Sequence, residues 1–283
     1  MPSGMNLDML TFNTKGPSKN DIKLKEIREA KKNELMAYQN ETVDPGMLDL
    51  EGEKVFAETS KEQEERIRMN SPYGGLNTWK LIRIIVKAND DVRQEQFAMQ
   101  LISQFDQIFK LKKIDLWLKP YEILGTGQRC GIIELAEDAL SIDSIKKKMG
   151  KNSRMIDYFH HQFGSSKSRA FKAARQKFCS SLAAYSLLCY ILQIKDRHNG
   201  NILIDIEGYL MHIDFGFFLS NAPGKGVKFE TAPFKLTAEM VEVLGGDRST
   251  AFAEYRELMK QGFLALQENA EKIIIIIEMM FMG

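Results

Sequence analysis

The residues best suited to chemistry lie in two short segments, Lys195–Asn201 and His212–Gly216. Asp196 lies five positions before Asn201, which lies thirteen positions before Asp214. An aspartate can orient an attacking hydroxyl group, while an asparagine and a second aspartate offer the hard oxygen ligands that Mg²⁺ prefers. Phosphoryl transfer depends on such positioning more than on covalent chemistry by the protein. The spacing therefore predicts a phosphotransfer centre, with a hairpin bringing the two segments together.

Each polar residue of these segments has an expected role. Asp196 is the first candidate for the base or hydroxyl-orienting group, and His198 is the second, because an imidazole titrates near neutral pH. Arg197 stays cationic and is expected to steady nearby carboxylates or phosphates. Asn201 and Asp214 are the expected metal ligands. We expect Mg²⁺ as the cofactor, with Mn²⁺ as an alternative, and ATP as the substrate.

Hydrophobic periodicity predicts the elements that position these residues. The clearest is a helix over Ser168–Ile194, which has no Gly or Pro and delivers the chain directly into Asp196. A second helix is predicted over Asp90–Lys110. Strands are predicted over Trp79–Lys87, Leu116–Ile123 and Gly131–Leu135.

The first 70 residues carry no diagnostic motif. A helix is predicted from Asn20 to about Gln39, before a turn at Pro45-Gly46. The stretch Glu53–Met69 is charged and has few apolar residues, so it predicts a solvated helix; the alternative is the remnant of a regulatory or docking region.

Bulk composition excludes some classes of protein. The 283 residues, 44% of them hydrophobic, can form one large domain or two lobes around a cleft. A formal net charge of +1 gives no indication of nucleic-acid binding. Three cysteines without metal-like spacing are interpreted as reduced thiols. The apolar run Ile273–Ile277 is too short to cross a bilayer and predicts a buried or surface-lying helix.

The order of residues in the catalytic loop points to a family. Protein kinases have His-Arg-Asp before the asparagine, whereas this chain has Asp-Arg-His. With four other blocks, the loop resembles the phosphoinositide kinases, in particular the beta subfamily of type III phosphatidylinositol 4-kinases. The other blocks are Ser-Pro-Tyr-Gly at 71–74, Ile-Val-Lys-Ala-Asn-Asp-Asp-Val-Arg-Gln-Glu at 85–95, Leu-Lys-Pro-Tyr at 118–121 and Phe-Glu-Thr-Ala-Pro-Phe-Lys-Leu-Thr at 229–237. The resemblance extends from about Ser71 to Met279.

The resemblance implies an α+β, two-lobed protein-kinase-like fold. The expected domains are a charged N-terminal extension at 1–65, partly helical or disordered, a small β-rich N-lobe at 66–136 and a larger helical C-lobe at 137–283. Family members usually have a large helical region upstream and further helices downstream. We therefore expect the C-lobe to be truncated at Gly283, and lipid activity to be weak without partners or membrane targeting.

The resemblance assigns phosphate contacts to the N-lobe. Lys87 is expected to contact the ATP phosphates, held in place by the Glu95 carboxylate. Ser71 and Pro72 belong to the loop expected to cover the phosphates, although no Walker motif is present. Taken alone, Lys87 is typical of a solvent-facing charge at a strand end, and the loop is typical of a common turn.

The resemblance also assigns an adenine slot between the lobes. The strand end that contains Glu134 and Ala136 resembles the inter-lobe hinge, with Tyr121 and Ile213 as walls of the slot. Leu135 and Ala136 stand where the beta subfamily usually has Pro-Val. Backbone hydrogen bonding to adenine survives that change, but nucleotide or inhibitor affinity is open.

The segment Asp214–Thr237 resembles the activation loop, which in this family selects the lipid headgroup. Its only basic residues are Lys225, Lys228 and Lys235. A sparsely charged loop fits unphosphorylated phosphatidylinositol, because headgroups with several phosphates require more positive charge. The alternative is that these lysines are scattered on a mobile loop.

The function implied is transfer of the ATP γ-phosphate to the 4-hydroxyl of phosphatidylinositol in membranes. By resemblance, a small GTPase or adaptor is the expected recruiting partner. The expected location is cytoplasmic and peripheral on cytosolic membrane faces, the Golgi among them. Two alternatives remain: a serine/threonine protein kinase of the phosphoinositide-kinase-like group, and a catalytically weak scaffold with a kinase fold.

Overall fold

The computed structural model describes residues 55–56, 58–150, 152–219 and 232–282, and the side chains of residues 281 and 282 are left out. These residues all belong to one compact unit, Glu53–Gly283. The helix predicted from Asn20, and Lys225 and Lys228, lie outside the described residues.

The first half of this unit is built around a small antiparallel sheet. Its elements are helix α1 (Ser60–Asn70), strand β1 (Ile84–Ala88), helix α2 (Arg93–Leu111), strand β2 (Ile123–Gly127) and strand β3 (Cys130–Glu134). The strand order is β1-β3-β2. Helix α2 packs against β2, and its buried residues include Phe97, Leu101 and Phe105.

A glycine allows helix α2 to start close to the sheet. Gly131 pairs with Lys87 across β1 and β3. A Cβ atom at Gly131 would lie 2.4 Å from a methyl carbon of Val92, which precedes the helix. Only glycine fits this approach, which places the first turn of α2, including Glu95, beside the strand that ends near Lys87.

The second half is mainly helical and contains a second small sheet. Its elements are β4 (Ala139–Ser141), α3 (Ile142–Met149), α4 (Met155–Phe163), α5 (Arg169–Leu192), a 3₁₀ turn (Asn199–Asn201), β5 (Ile202–Asp205), β6 (Leu210–His212), α6 (Ala238–Val243), α7 (Thr250–Glu268) and α8 (Ala270–Met282). The strand order is β4-β5-β6, and both pairings are antiparallel.

Helix α5 forms the centre of the larger half. Ser168 caps it by accepting a hydrogen bond from the Phe171 N–H, and most of its residues from Phe178 to Leu192 are buried. Helix α7 packs against it at Gly262, where an added Cβ would lie 2.4 Å from Leu116 and 2.5 Å from Leu187. This close contact makes α5 a fixed support for the loop that follows it.

The two-lobed fold is confirmed, with corrections to individual elements. The predicted strand over Leu116–Ile123 is wrong: residues 114–122 form no strand and join no sheet, and β2 begins at Ile123. Leu116 and Leu118 are buried beneath other elements, and the Lys119 N–H donates to the Tyr185 hydroxyl. Alternating burial in this segment therefore comes from packing on helices.

The remaining elements match the sequence predictions more closely. The strand predicted over Trp79–Lys87 is regular only from Ile84, and the helix predicted from Asp90 begins at Arg93. The solvated helix predicted within Glu53–Met69 is α1, which has no buried residue. The domain boundary predicted at residue 65 falls inside this helix.

The apolar run at Ile273 lies in α8 at the surface. Ile273 is buried, whereas about half of the surface of Ile274 and Ile275 is exposed, at 51% and 53%. In the part of the chain that the structure describes, no helix combines the length and apolar character needed to cross a bilayer.

Candidate active site

The catalytic loop, Lys195–Asn201, begins where helix α5 ends. Gln193 terminates the helix with a left-handed backbone (φ 52°), and its N–H donates to the Cys189 carbonyl. Asp196 also has a positive φ, of 64°. Left-handed backbone is uncommon outside glycine, although aspartate tolerates it better than most residues. The surroundings of the loop must therefore stabilise this turn.

A hairpin brings the loop next to Asp214, as the sequence predicts. Strands β5 and β6 pair with Ile202 opposite His212, and the Ile213 N–H donates to the Asn201 carbonyl at 3.1 Å. The tight turn between the strands is stabilised by the Asp205 carboxylate, which accepts hydrogen bonds from two backbone N–H groups. Asn201 and Asp214 thus flank the open end of one hairpin.

Asn201 also connects the hairpin to Asp196. Its side-chain Nδ2 donates to the Asp196 carbonyl at 3.0 Å, and the residue is 7% exposed. Because the amide nitrogen is used in this way, the amide oxygen remains as the acceptor that could meet a cation. The three residues expected to do the chemistry are therefore joined by short hydrogen-bonded links.

The donor set fits a magnesium ion that is shared with a phosphate-bearing substrate. Asp214 is exposed and one of its oxygens accepts a long hydrogen bond from the Gly216 N–H, at 3.4 Å. An amide oxygen and a carboxylate are hard ligands, and magnesium at such sites takes its other ligands from water and phosphate. Among the described residues there is no cluster of three or more His, Cys, Asp and Glu side chains that could enclose a metal.

Arg197 is placed differently from the sequence expectation. It is 3% exposed, and its guanidinium donates to the backbone carbonyls of Lys195 (3.0 Å), Ile213 (2.8 Å) and Asp214. It also lies over the Phe215 ring, 5.4 Å from the centroid. In these contacts it links the catalytic loop to the chain after β6 through backbone groups, whereas we had expected carboxylates or phosphates as its partners.

His198 lies beside Asp196, in keeping with its position as the second candidate. Its Nε2 is 3.9 Å from the Asp196 carboxylate, and its Nδ1 accepts a hydrogen bond from the Gly200 N–H at 3.0 Å. With Nδ1 as an acceptor, a neutral ring carries its proton on Nε2, on the side of Asp196. The imidazole is 59% exposed, so a substrate could reach it.

Lys87 pairs with a different carboxylate from the one expected. Its ammonium donates to Asp90 at 3.0 Å, not to Glu95. Burial would lower the pKa of the ammonium, but the Asp90 hydrogen bond and the charges of Glu95, Asp90 and Asp214 raise it overall. Lys87 therefore stays cationic, with both Glu95 and Asp214 close enough to act on it. Asp90 is nearer in sequence and takes the direct contact.

Glu95 instead accepts a hydrogen bond from Tyr121. The Tyr121 hydroxyl is 2.7 Å from the Glu95 carboxylate. Burial and that carboxylate raise the pKa of Tyr121, so the hydroxyl stays protonated; the backbone N–H of Asp214 faces the same hydroxyl and opposes the shift. Tyr121, predicted as a wall of the adenine slot, thus links helix α2 to the metal-ligand segment.

In the predicted hinge, the backbone N–H groups of Glu134 and Leu135 point to opposite sides of the chain. The Leu135 N–H donates to the Arg83 carbonyl on the side of β1, whereas the Glu134 N–H donates to the Glu122 carbonyl on the other side. Because backbone groups alternate along extended chain, the Glu134 carbonyl and the Ala136 N–H share the side away from β1. That pairing suits an adenine edge. Ile213, the other predicted wall, is half-buried in the segment after β6.

The predicted phosphate loop makes local contacts. The Ser71 N–H donates to the Arg68 carbonyl, and Arg68 donates to the Gly74 carbonyl at 2.8 Å. Pro72 is exposed. These hydrogen bonds hold a turn after helix α1, and the contacts of Ser71 and Pro72 do not include the catalytic residues within the described part of the chain.

Sequence reasoning missed one contributor to the site and the contacts of another. Gln94 donates from its side chain to the Gly216 carbonyl at 3.0 Å and so connects helix α2 to the segment after Asp214. Lys235, expected at the lipid headgroup, donates to the Arg197 carbonyl at 2.7 Å and to the Asn199 side chain at 3.2 Å. Both residues stand in the sequence blocks quoted above, but no pattern in the sequence indicates these partners.

The family assignment can now be tested on the whole domain. Residues 81–283 match the family model described as phosphatidylinositol 3- and 4-kinase, which is more than half of the chain. The chain belongs to this family.

Curated relatives agree with this assignment. The chain is 46% identical over 258 residues to "Phosphatidylinositol 4-kinase PIK1alpha" of Candida albicans, with 87% of the chain and 26% of the relative covered. It is 47% identical over 228 residues to "Phosphatidylinositol 4-kinase" of Dictyostelium discoideum, with 81% and 19% covered. It is 42% identical over 247 residues to "Phosphatidylinositol 4-kinase beta" of Rattus norvegicus, with 87% and 29% covered. The family resemblance is confirmed, and the chain spans less than a third of the length of these relatives.

Proposed function

We propose that the chain is the catalytic part of an ATP-dependent lipid kinase that phosphorylates the 4-hydroxyl of phosphatidylinositol. The observation that carries the proposal is the set of hydrogen-bonded links joining Asp196, Asn201 and Asp214 at the end of one hairpin. Membership of the phosphatidylinositol 3- and 4-kinase family supports lipid as the acceptor. Relatives named phosphatidylinositol 4-kinase support position 4 of the inositol ring.

In the proposed reaction, the nucleotide lies between the sheet and the catalytic loop. The Glu134 carbonyl and the Ala136 N–H meet the adenine edge, with Tyr121 and Ile213 alongside. The Lys87 ammonium offsets phosphate charge, and the turn that contains Ser71 and Pro72 covers the phosphates. Each of these groups binds or orients ATP, so their loss is expected to weaken nucleotide binding.

Transfer itself is assigned to the catalytic loop and to Asp214. The Asp196 carboxylate accepts a hydrogen bond from the inositol 4-hydroxyl and aims its oxygen at the γ-phosphorus. The Nε2 atom of His198 lies 3.9 Å from the Asp196 carboxylate, near enough to take part in removing the proton of the inositol hydroxyl. Asn201 and Asp214 would hold Mg²⁺, which when bound supplies charge neutralisation at the β- and γ-phosphates. The resulting products are phosphatidylinositol 4-phosphate and ADP.

The same resemblance supports a location and partners. We propose that the protein works peripherally on cytosolic membrane faces, the Golgi among them, where a small GTPase or an adaptor recruits it. Lys225 and Lys228 are proposed to contact the lipid headgroup. The exposed face of helix α8, with Ile274 and Met279, is compatible with work at a membrane surface.

The test is a transfer assay on vesicles. The protein is incubated with labelled ATP, Mg²⁺ and vesicles that contain phosphatidylinositol, its 4-phosphate or neither, and the labelled headgroups are then separated. We expect label in phosphatidylinositol 4-phosphate alone. Label in a peptide substrate but not in lipid would favour the protein-kinase alternative, and no transfer to any acceptor would favour the scaffold.

The variant that tests the role of Asp196 is Asp196→Asn, which keeps the size of the side chain and removes its charge. General base catalysis contributes roughly 10²–10⁴-fold to rate, so kcat is expected to fall by that factor. Nucleotide affinity, measured by fluorescence of a bound ATP analogue, is expected to stay nearly constant. A variant as active as the parent would remove Asp196 from its proposed role.

A further inference from the structure

The catalytic loop is held by a row of hydrogen bonds to its own carbonyl groups. The carbonyls at positions 195–198 accept, in order, from Arg197 Nε (3.0 Å), Asn201 Nδ2 (3.0 Å), Lys235 Nζ (2.7 Å) and the Asn201 N–H (3.0 Å). Three of these four donors belong to the loop itself. Lys235 is the donor in this set that comes from another part of the chain, 38 residues beyond Arg197.

Lys235 makes a second contact with the same loop. Its ammonium lies 3.2 Å from the Asn199 side-chain oxygen, so one cation spans two loop residues. Hydrogen bonds from a charged donor are shorter and stronger than neutral ones. The lysine is half-buried, where water competes less for these bonds.

The other end of this lysine is fixed by a helix. Lys235 lies two residues before Thr237, whose hydroxyl caps helix α6 by accepting from the Met240 N–H at 3.3 Å. Met240 and Val243 on that helix are 1% exposed. The backbone at Lys235 is therefore tied to the packed interior, and the ammonium extends from this support to the loop.

We propose that Lys235 is a positioning residue that holds the catalytic loop in the geometry needed for transfer, rather than a ligand of the lipid headgroup. Asp196 has the left-handed backbone described above, and the carbonyl that Lys235 binds belongs to the next residue. A bond from outside the loop at that point restrains the direction of the Asp196 side chain. The inference rests on the proposed function, because it assigns the lysine a part in that same reaction.

The two roles predict different kinetics. A headgroup ligand affects the lipid alone, so its loss raises KM for phosphatidylinositol and leaves slow hydrolysis of ATP by water unchanged. A positioning residue acts on the catalytic loop, whose Asp196 orients the attacking hydroxyl whether it belongs to lipid or to water. Its loss therefore lowers kcat for lipid and for water alike, with little change in KM for lipid, and misplacement of reacting groups by about 1 Å can cost on the order of 10²-fold in rate.

The experiment compares Lys235→Met, Lys235→Arg and Lys148→Met in the full chain. Lys148 is the matched control, because its ammonium also donates to a backbone carbonyl, that of Val55 at 2.8 Å, which is not part of the catalytic loop. We expect Lys235→Met to lower kcat for lipid and for ATP hydrolysis by at least tenfold each, with KM for lipid within twofold. Lys235→Arg keeps a cationic donor and is expected to recover much of both rates. Lys148→Met is expected to match the parent in both.

Hydrogen exchange supplies a readout that does not depend on activity. Lys235→Met is expected to speed amide exchange at residues 196–201, including the Asn201 N–H, while exchange in helix α5 stays slow. Asn199→Ala removes one of the two acceptors and keeps the lysine. Because the two residues act through one contact, the double variant is expected to be little worse than Lys235→Met alone.

Three results would overturn the inference: a raised KM for lipid with unchanged ATP hydrolysis, unchanged rates in Lys235→Met, or unchanged exchange in the loop. Independent, fully additive effects of the Asn199 and Lys235 changes would also count against it. If the parent transfers nothing to phosphatidylinositol, the proposed function fails separately. ATP hydrolysis and loop exchange then still decide whether Lys235 holds the loop.

Discussion

The side chain of Asn201 has two tasks that use its two ends. Its nitrogen holds the Asp196 carbonyl at 3.0 Å, which leaves the oxygen for a metal ion. Such a division explains why asparagine suits this position better than a second aspartate. A carboxylate there would face the Asp196 carbonyl with no hydrogen to donate.

This division predicts the behaviour of Asn201→Asp and Asn201→Ala. Both variants lose the donor to Asp196 and are expected to lower kcat by about 10²-fold or more, because Asp196 loses its alignment. Asn201→Ala also loses the metal ligand, so it should need more Mg²⁺ to reach half of its maximal rate. The measurement is a rate titration with Mg²⁺ at saturating ATP. An unchanged Mg²⁺ requirement in Asn201→Ala would show that its oxygen is not a ligand.

The hydroxyl of Tyr121 is a second place where one atom connects two parts of the site. Tyr121→Phe removes the donor to Glu95, which is 8% exposed, and keeps the ring. A hydrogen bond to a charged group contributes about 1.5–3 kcal/mol, so we expect a loss of stability of that order, measured by denaturant unfolding. Glu95→Gln tests the same contact from the other side, since a neutral amide oxygen still accepts. A Tyr121→Phe variant as stable as the parent would contradict this.

Sequence reasoning at the scale of residues was strongest where spacing alone sets proximity. Asp196, Asn201 and Asp214 lie together as the spacing predicts, because a short loop and a hairpin leave few ways to separate them. Lys87 contacts Asp90 where Glu95 was predicted, and the backbone contacts of Arg197 and Lys235 were not predicted. Flexible cationic side chains can reach several oxygens, and spacing does not select among them. Only coordinates show that Asp90 is nearer to Lys87 than Glu95 is.

At the scale of elements, helix α5 was predicted well because its apolar periodicity extends over many turns. The segment before β2 was not, since Leu116 and Leu118 alternate as in a strand although their burial comes from helices. Alternation reports which side of an extended chain is buried and carries no information on whether a neighbouring strand is present. The same limit applies to Trp79–Lys87, where only the last part pairs.

The packing of α7 on α5 gives a test of element contacts. Gly262→Ala places a methyl group 2.4 Å from Leu116 and 2.5 Å from Leu187, so side chains or helices must shift. Overpacking in a core costs about 1–3 kcal/mol, and we expect that loss in the free energy of unfolding. Gly75→Ala is the control, because nothing lies within 4 Å of an added Cβ there. Equal stability of the two variants would contradict the close contact.

On the scale of the whole molecule, two small sheets and one buried helix place the reacting groups. The first sheet carries Lys87 and ends at the predicted hinge, and the second ends at Asn201 and Ile213. Helix α2 connects the two sheets through two side chains. Glu95 accepts a hydrogen bond from Tyr121, and Gln94 donates to the Gly216 carbonyl. The family blocks in the sequence correspond to these junctions, which is why resemblance predicted the architecture. It did not predict how helix α1 attaches to it.

Arg83 is the residue that attaches helix α1 to the hinge. It is largely buried and donates to Gln63 at 3.0 Å, to the Ser60 carbonyl at 2.5 Å and to Glu137 at 2.8 Å. A further bond joins the Ser60 N–H to the Asp138 carboxylate at 2.6 Å. Helix α1 thus contacts the segment just after the predicted adenine hinge, and loss of Arg83 should affect both.

Arg83→Ala is expected to speed amide exchange in α1 and at residues 135–138, and to weaken ATP binding severalfold, because the hinge loses a support on one side. Arg66→Ala is the matched control on the same helix. Arg66 pairs with Glu58 at the surface, where solvent screens ion pairs and they contribute little to stability, so its loss should change neither measurement. Hydrogen exchange and a nucleotide titration on the parent and both variants decide the point. If Arg83→Ala loosens α1 but leaves hinge exchange and ATP affinity at the parent values, the helix is attached to the lobe without supporting the site.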